Sequence, residues 1–170
     1  MNDKKLCEII SRKLNGVVNI LDIGCGDGFL VSCLAKKLNR KIVGLDISTE
    51  GFTKAHDRCK KFDVCNLIEC IKGDARNMKI FKNSEFDGIT LVYTLHHMNK
   101  PEIVLKEAKR VLKPDGRVII VEYIIKKRKS KCHKFVKEQI HNLIENLGFR
   151  DTIIQKLEED LILITSKNKV

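Results

Sequence analysis

The chain has 170 residues, 43% of them apolar and 32% charged, with a formal net charge of +11 and seven cysteines. That size and balance point to one soluble globular domain with a full core, and no apolar run nears the roughly 20 residues of a membrane span. The N-terminus, Met-Asn-Asp-Lys-Lys, has no signal-peptide core, and an odd cysteine count without C-x-x-C pairs suits reduced thiols in a cytoplasm.

In chain order, Leu6, Ile9, Ile10 and Leu14 give residues 3–14 the spacing of an amphipathic helix. It is expected to cover a sheet edge or the mouth of a ligand site. Residues 17–23 then read as a short buried strand, broken by the alternating glycines Gly24, Gly26 and Gly28. Leu30, Val31, Leu34, Ala35 and Leu38 follow at helical spacing, so the unit is strand, tight glycine loop, helix. The spacing is G-x-G-x-G, one residue shorter than the dinucleotide fingerprint, and Asp22 precedes it. An acid there suits a ligand carrying an amino group and disfavours a phosphate.

This D-x-G-x-G-x-G pattern resembles motif I of the class I S-adenosylmethionine-dependent methyltransferases, whose cofactor carries an ammonium and a sulfonium but no phosphate. The resemblance implies S-adenosyl-L-methionine as cofactor, S-adenosyl-L-homocysteine as product, and cofactor contacts from Asp22, Gly24, Cys25 and Gly26. Residues 41–46 form a second apolar strand ending in an acid, Asp46. In the family an acid at that place accepts from the ribose hydroxyls, which assigns Asp46 and its neighbour Ile47 to the cofactor. The alternative is that Asp46 caps a helix over residues 48–61. A third strand, 66–71, runs into Lys72-Gly-Asp-Ala75. There the resemblance gives the adenine amine to Asp74 and a backbone N–H to Ala75, although Gly-Asp is also an ordinary turn.

Residues 86–93 form a fourth strand, followed by Thr94-Leu-His-His-Met98. The segment is similar to the F-D-x-V-x-x-x-x-x-L-H-H stretch of the small-molecule branch of the family. It implies that the Leu91 backbone passes along the cofactor and that His96 and His97 lie beneath the transfer position. The family often has Ser where Leu91 stands. The N-P-P-Y or D-P-P-Y tetrapeptide of amino-methylating enzymes is missing, which argues against adenine-N6 or glutamine methylation. Pro101 opens a helix with Ile103, Val104, Ala108, Val111 and Leu112 on one face. Lys113-Pro-Asp-Gly116 reads as a turn with its glycine in the left-handed position, before a fifth strand at 117–123. The run from Glu107 to Glu122 is a second family resemblance, structural in role. Val136, Ile140, Leu143, Ile144 and Leu147 give a last helix, stopped by Gly148. Two strands, 151–157 and 161–165, close the chain as a hairpin with an antiparallel edge.

The expected fold is α/β: a doubly wound seven-stranded sheet, mostly parallel with one antiparallel strand, the Rossmann-like methyltransferase fold. The domain is single, 1–170, with a core over 17–166 behind an N-terminal helix in 1–15. Methyl transfer is an in-line displacement that rests mostly on holding the acceptor close and aligned. A base is needed only where the acceptor must lose a proton, and an imidazole exchanges protons near neutral pH. His96 and His97 are therefore the catalytic candidates, the alternative being that they pack or cap the turn after the fourth strand. The cysteines lack zinc-ligand spacing and read as structural thiols, so no metal is expected.

A small-molecule acceptor is the leading reading. The basic run from Lys126 to Lys137, placed on the active-site rim, supports an RNA or another anionic macromolecule as the alternative acceptor. Phe135 is its one Phe, Tyr or Trp, short of the interleaved aromatics of a stacking platform, and a solvated loop or a Lys-rich coding bias accounts for the charge equally well. A non-catalytic cofactor-binding subunit of a hetero-complex is the third reading. A homodimer or a partner subunit is left open, and no membrane partner is expected.

Overall fold

A computed structural model describes residues 1–125 and 135–169. Seven strands form one sheet in the order β3-β2-β1-β4-β5-β7-β6. These are β1 (Ile20–Ile23), β2 (Ile42–Asp46), β3 (Ile68–Lys72), β4 (Phe86–Val92), β5 (Leu112–Tyr123), β6 (Phe149–Lys156) and β7 (Leu161–Asn168). The helices are α1 (Asp3–Lys13), α2 (Phe29–Leu38), α3 (Phe52–Phe62), α4 (Pro101–Val111) and α5 (Lys137–Asn146). No helix among the described residues is long and apolar enough to cross a membrane.

All four residues of β1 are buried, because parallel neighbours flank it and helices cover both faces. On one face Leu21, Ile23, Ile89 and Ile120 pack with Val104 and Ala108 of α4 and Ile140 and Ile144 of α5. On the other, Ile20, Ile42, Ile119 and Val121 pack with Leu6 and Ile10 of α1, Leu34 of α2 and Cys59 of α3. The chain winds from β1 outward to β3, then returns to place β4 on the opposite side of β1. That reversal opens a crevice at the carboxyl ends of β1 and β4, where open α/β sheets bind ligands.

Three local readings change. The turn expected at Lys113–Gly116 lies inside β5: Phe86 pairs with Leu112 and Gly88 with Arg117, so three extra residues loop out of the ladder. Asp115, not Gly116, takes the positive φ there, at 58°. A side chain at Gly116 would instead strike Leu112, so that glycine answers a close approach. At the far side, β7 pairs antiparallel with both β5 and β6, so the reversed strand lies inside the sheet and β6 forms the edge. Of the two places expected for α1, the structure gives the ligand mouth, where Asp3 and Leu6 line the crevice. The helix is tied to α2 by a Cys7–Cys33 disulfide and a Glu8–Lys37 ion pair. A second disulfide joins Cys59 to Cys65. These four sulfurs are therefore bonded, not the free thiols expected: helix packing brings Cys33 to Cys7 across 26 residues, and the turn after α3 returns Cys65 to Cys59 within six.

Candidate active site

The glycine loop is held from below and from the side. Gly24 and Cys25 both donate backbone N–H bonds to the Leu45 carbonyl, at 2.7 and 3.1 Å. Gly24 has φ +78°, and a Cβ there would lie 2.4 Å from Thr94 Cγ2, so only glycine fits both the turn and the approach of β4. Gly28, the N-cap of α2, is likewise at positive φ and would strike Ala55 of α3.

Two cavities meet at this loop, and Gly24 and Tyr93 line both. The larger, about 410 Å³, runs past Asp46, Ile47, Asp74, Ala75, Thr94, His97 and Met98. The smaller, about 210 Å³, lies between the loop and the first turn of α1, and includes Asp3, Asp22, Cys25, Gly26 and Asp27. The expected cofactor residues are thus brought together around one crevice, with one exception. Leu91 lines neither cavity: its side chain is fully buried inside β4, and the β4 end meets the crevice from Val92 onward, with Tyr93 and Thr94.

Asp46 braces the loop as well as facing the crevice. Its Oδ2 accepts from the Gly26 N–H at 2.8 Å, and its Oδ1 from the Ser48 N–H at 2.9 Å. An ionised carboxylate has about four acceptor sites, so two remain for a ligand. The capping alternative is not what forms, since Gly51 is the N-cap of α3. Asp22 sits deeper, 2% exposed, and accepts from Thr90 Oγ1 at 2.6 Å. Burial pushes its carboxyl up to about 7; the Thr90 hydrogen bond opposes that rise, and the Asp46 charge adds to it. Asp74 is more exposed and pairs bidentately with Arg76, whose hydrogen bonds hold it below the ordinary carboxylate range. Ile47, 65% exposed, offers an apolar face beside these acids. Cys25 lies over Gly44, where any side chain would collide with its Sγ, and the Cys70 sulfur together with burial pushes its thiol up.

The two histidines occupy a 3₁₀ turn, Leu95–His97, and play different parts. His97 lines the crevice. His96 Nδ1 lies 2.5 Å from Oε1 of Glu122, which is fully buried and also receives the backbone N–H groups of His96 and Tyr123. An ionised carboxylate only accepts, so in the neutral imidazole the proton is on Nδ1 and the lone pair on Nε2. The two imidazoles are 3.9 Å apart between centroids. Tyr93 has φ +55° and its ring stacks on Tyr123 at 5.1 Å. A left-handed aromatic residue is uncommon, and here it turns the end of β4 across the crevice. Burial and the neighbouring Tyr123 push its phenol well above the ordinary tyrosine range.

Arg76, Thr94, Glu122 and Asp3 were not among the expected site residues. Glu122 ended a recognisable strand, but nothing local said that it would meet a histidine 26 residues earlier. The basic run at Lys126–Lys137 falls, for 126–134, outside the described residues.

Residues 21–120 match the methyltransferase domain family. The chain belongs to that family. A 2-phytyl-1,4-beta-naphthoquinone methyltransferase of Arabidopsis thaliana is 37% identical over 108 residues, 61% of this chain and 41% of that protein. The matched stretch covers 39–45% of the length of four such curated relatives, well under two thirds. Among solved structures, a SAM-dependent methyltransferase from Aquifex aeolicus shares the fold with a TM-score of 0.77 and 18% identity, over 98% of this chain and 99% of that one. The [4+2]-cyclase SpnF shares it at 0.86 and 18%, over 98% of this chain and 81% of that one. The methyltransferase domain thus has its family from the sequence match and its fold from both.

Proposed function

We propose that this methyltransferase domain transfers a methyl group from S-adenosyl-L-methionine to a small-molecule acceptor. The observation that carries the reading is the pair of acids at the two ends of the glycine loop, Asp46 on the Gly26 N–H and Asp22 beneath Gly24, in a chain of this family. The crevice fits such a cofactor better than a dinucleotide. No Lys or Arg is among the described residues lining the loop cavity, which holds Asp3, Asp22 and Asp27. Arg58 pairs with Asp27, so the charge left facing the cavity comes from Asp3 and ionised Asp22, which together repel a pyrophosphate and attract an ammonium. Asp46 has lone pairs to spare for ribose hydroxyls, and Ile47 offers an apolar face to a purine.

The cofactor supplies, when bound, an electrophilic methyl on a sulfonium. The protein's own work is positioning and proton handling. Tyr93, Met98 and Val104 present an apolar wall beside His97, which suits an uncharged organic acceptor and excludes water from it. His96 is the base of the pair: Glu122 fixes its tautomer and offsets the charge that a gained proton creates. An acceptor hydroxyl beside His97 would pass its proton to the His96–Glu122 pair behind it, the two imidazoles being 3.9 Å apart between centroids. The curated relatives include enzymes named for naphthoquinone and rifamycin substrates, which supports a small-molecule acceptor of ring type.

The test is S-adenosylhomocysteine formation with a cell extract divided by size filtration. Product with the low-molecular-weight fraction, abolished in Asp46→Ala, is expected. Turnover confined to the RNA or protein fraction would overturn the small-molecule reading.

A further inference from the structure

Away from the crevice, α3 ends in a turn that gathers three metal-binding groups. His56 and Cys59 are three residues apart on one helix face. Asp63, at φ +57°, reverses the chain, and the Val64 N–H donates to the Cys59 carbonyl at 2.9 Å. That reversal returns Cys65 to a Cα separation of 4.7 Å from Cys59. The two sulfurs and an imidazole nitrogen of His56 all lie within 4.8 Å of one another, with Cys59 Sγ 4.0 Å from His56 Nδ1. Cys59 is buried, whereas His56 and Cys65 are exposed, so the group opens to solvent on one side.

We propose that His56, Cys59 and Cys65, with the sulfurs reduced, form a three-ligand site for zinc, and that the Cys59–Cys65 disulfide is its oxidised, metal-free form. Tetrahedral zinc holds thiolates at about 2.3 Å and imidazole at about 2.0 Å, which places ligand atoms roughly 3.5–3.8 Å apart. The separations here need only side-chain rotation to reach that. Two thiolates and one imidazole are a zinc donor set, and the fourth position is left to water or an outside ligand. The last carbonyls of α3 turn the negative end of its dipole toward the site.

The two states interconvert by thiol–disulfide exchange. A low-molecular-weight disulfide takes two electrons from the two zinc-bound thiolates. Its own S–S bond breaks, the Cys59–Cys65 bond forms, and two thiolates and the zinc ion are released. Two equivalents of a small thiol reverse it.

Cobalt(II) titration of the phosphine-reduced full chain tests this, with zinc as competitor. One equivalent with a thiolate-to-cobalt charge-transfer band, displaced by zinc, is expected; affinity should fall at least tenfold in His56→Ala and in Cys65→Ser, and the oxidised chain should bind none. Both variants replace exposed side chains, and circular dichroism checks that they fold. No uptake by the reduced chain, or equal uptake in wild type and both variants, would overturn the proposal.

Discussion

Thr90 Oγ1 donates a 2.6 Å hydrogen bond to Asp22 Oδ1, joining β4 to β1 directly beneath the glycine loop, and both residues are buried. The bond supports the ionised form of an acid that burial otherwise drives toward neutrality. Thr90→Val keeps the shape and removes the donor. At pH 8 it should cost about 1–3 kcal/mol in a denaturant titration. At pH 5, where Asp22 is protonated in the native protein, the loss should be smaller. An equal loss at both pH values would contradict the coupling.

Asp22 also sets a pH dependence. Its native carboxyl stands at about 7, above the ordinary 3.8 that it regains on unfolding. Between those values the native state holds a proton that the unfolded chain has lost, so this group's contribution to stability is full below about pH 4 and declines as pH rises to about 7. Ligand binding runs the other way, because an ammonium prefers ionised Asp22. Relative to Asp22→Asn, which carries the ligand's own titration, wild-type affinity for S-adenosylmethionine should rise several-fold from pH 6 to pH 8. Parallel profiles, read by calorimetry, would remove Asp22 from the binding site.

Asp46 carries two backbone hydrogen bonds and, on this account, the ribose. Asp46→Ala should weaken cofactor binding tenfold or more, as expected for lost hydrogen bonds to a charged group, while the melting temperature moves little because the loop is exposed. Unchanged affinity would sink the ribose assignment.

The histidines should separate kinetically. If His96 takes the proton, His96→Ala lowers kcat by about 10²-fold or more, and Glu122→Gln lowers it while shifting the acidic limb of the pH–rate profile. His97→Ala, at the crevice wall, should act mainly through KM. An active His96→Ala with a dead His97→Ala would exchange the two roles.

The glycine loop, the strand-end acids and the doubly wound seven-stranded class were legible because short-range chemistry fixes them. Three alternating glycines admit few other structures, and β-α alternation leaves few topologies. What stayed hidden depends on distant approach. The excursion at Lys113–Gly116 looked like a chain reversal because Pro-Asp-Gly encodes a turn, and only the β4 ladder shows that the strand continues through it. The Cys7–Cys33 bond needs α1 laid on α2, and Glu122 needs the β5 end beside the turn that carries His96. Leu91 lines neither cavity, and the β4 side of the crevice begins at Val92, because sequence similarity names a strand but not which of its residues reaches the crevice.

The most direct measurement is calorimetric titration of the purified chain with S-adenosylmethionine, S-adenosylhomocysteine and NAD. Micromolar binding of the first two and none of NAD is the predicted result. Binding of NAD alone would contradict the account at its root, since the acids around the glycine loop would then be facing a pyrophosphate.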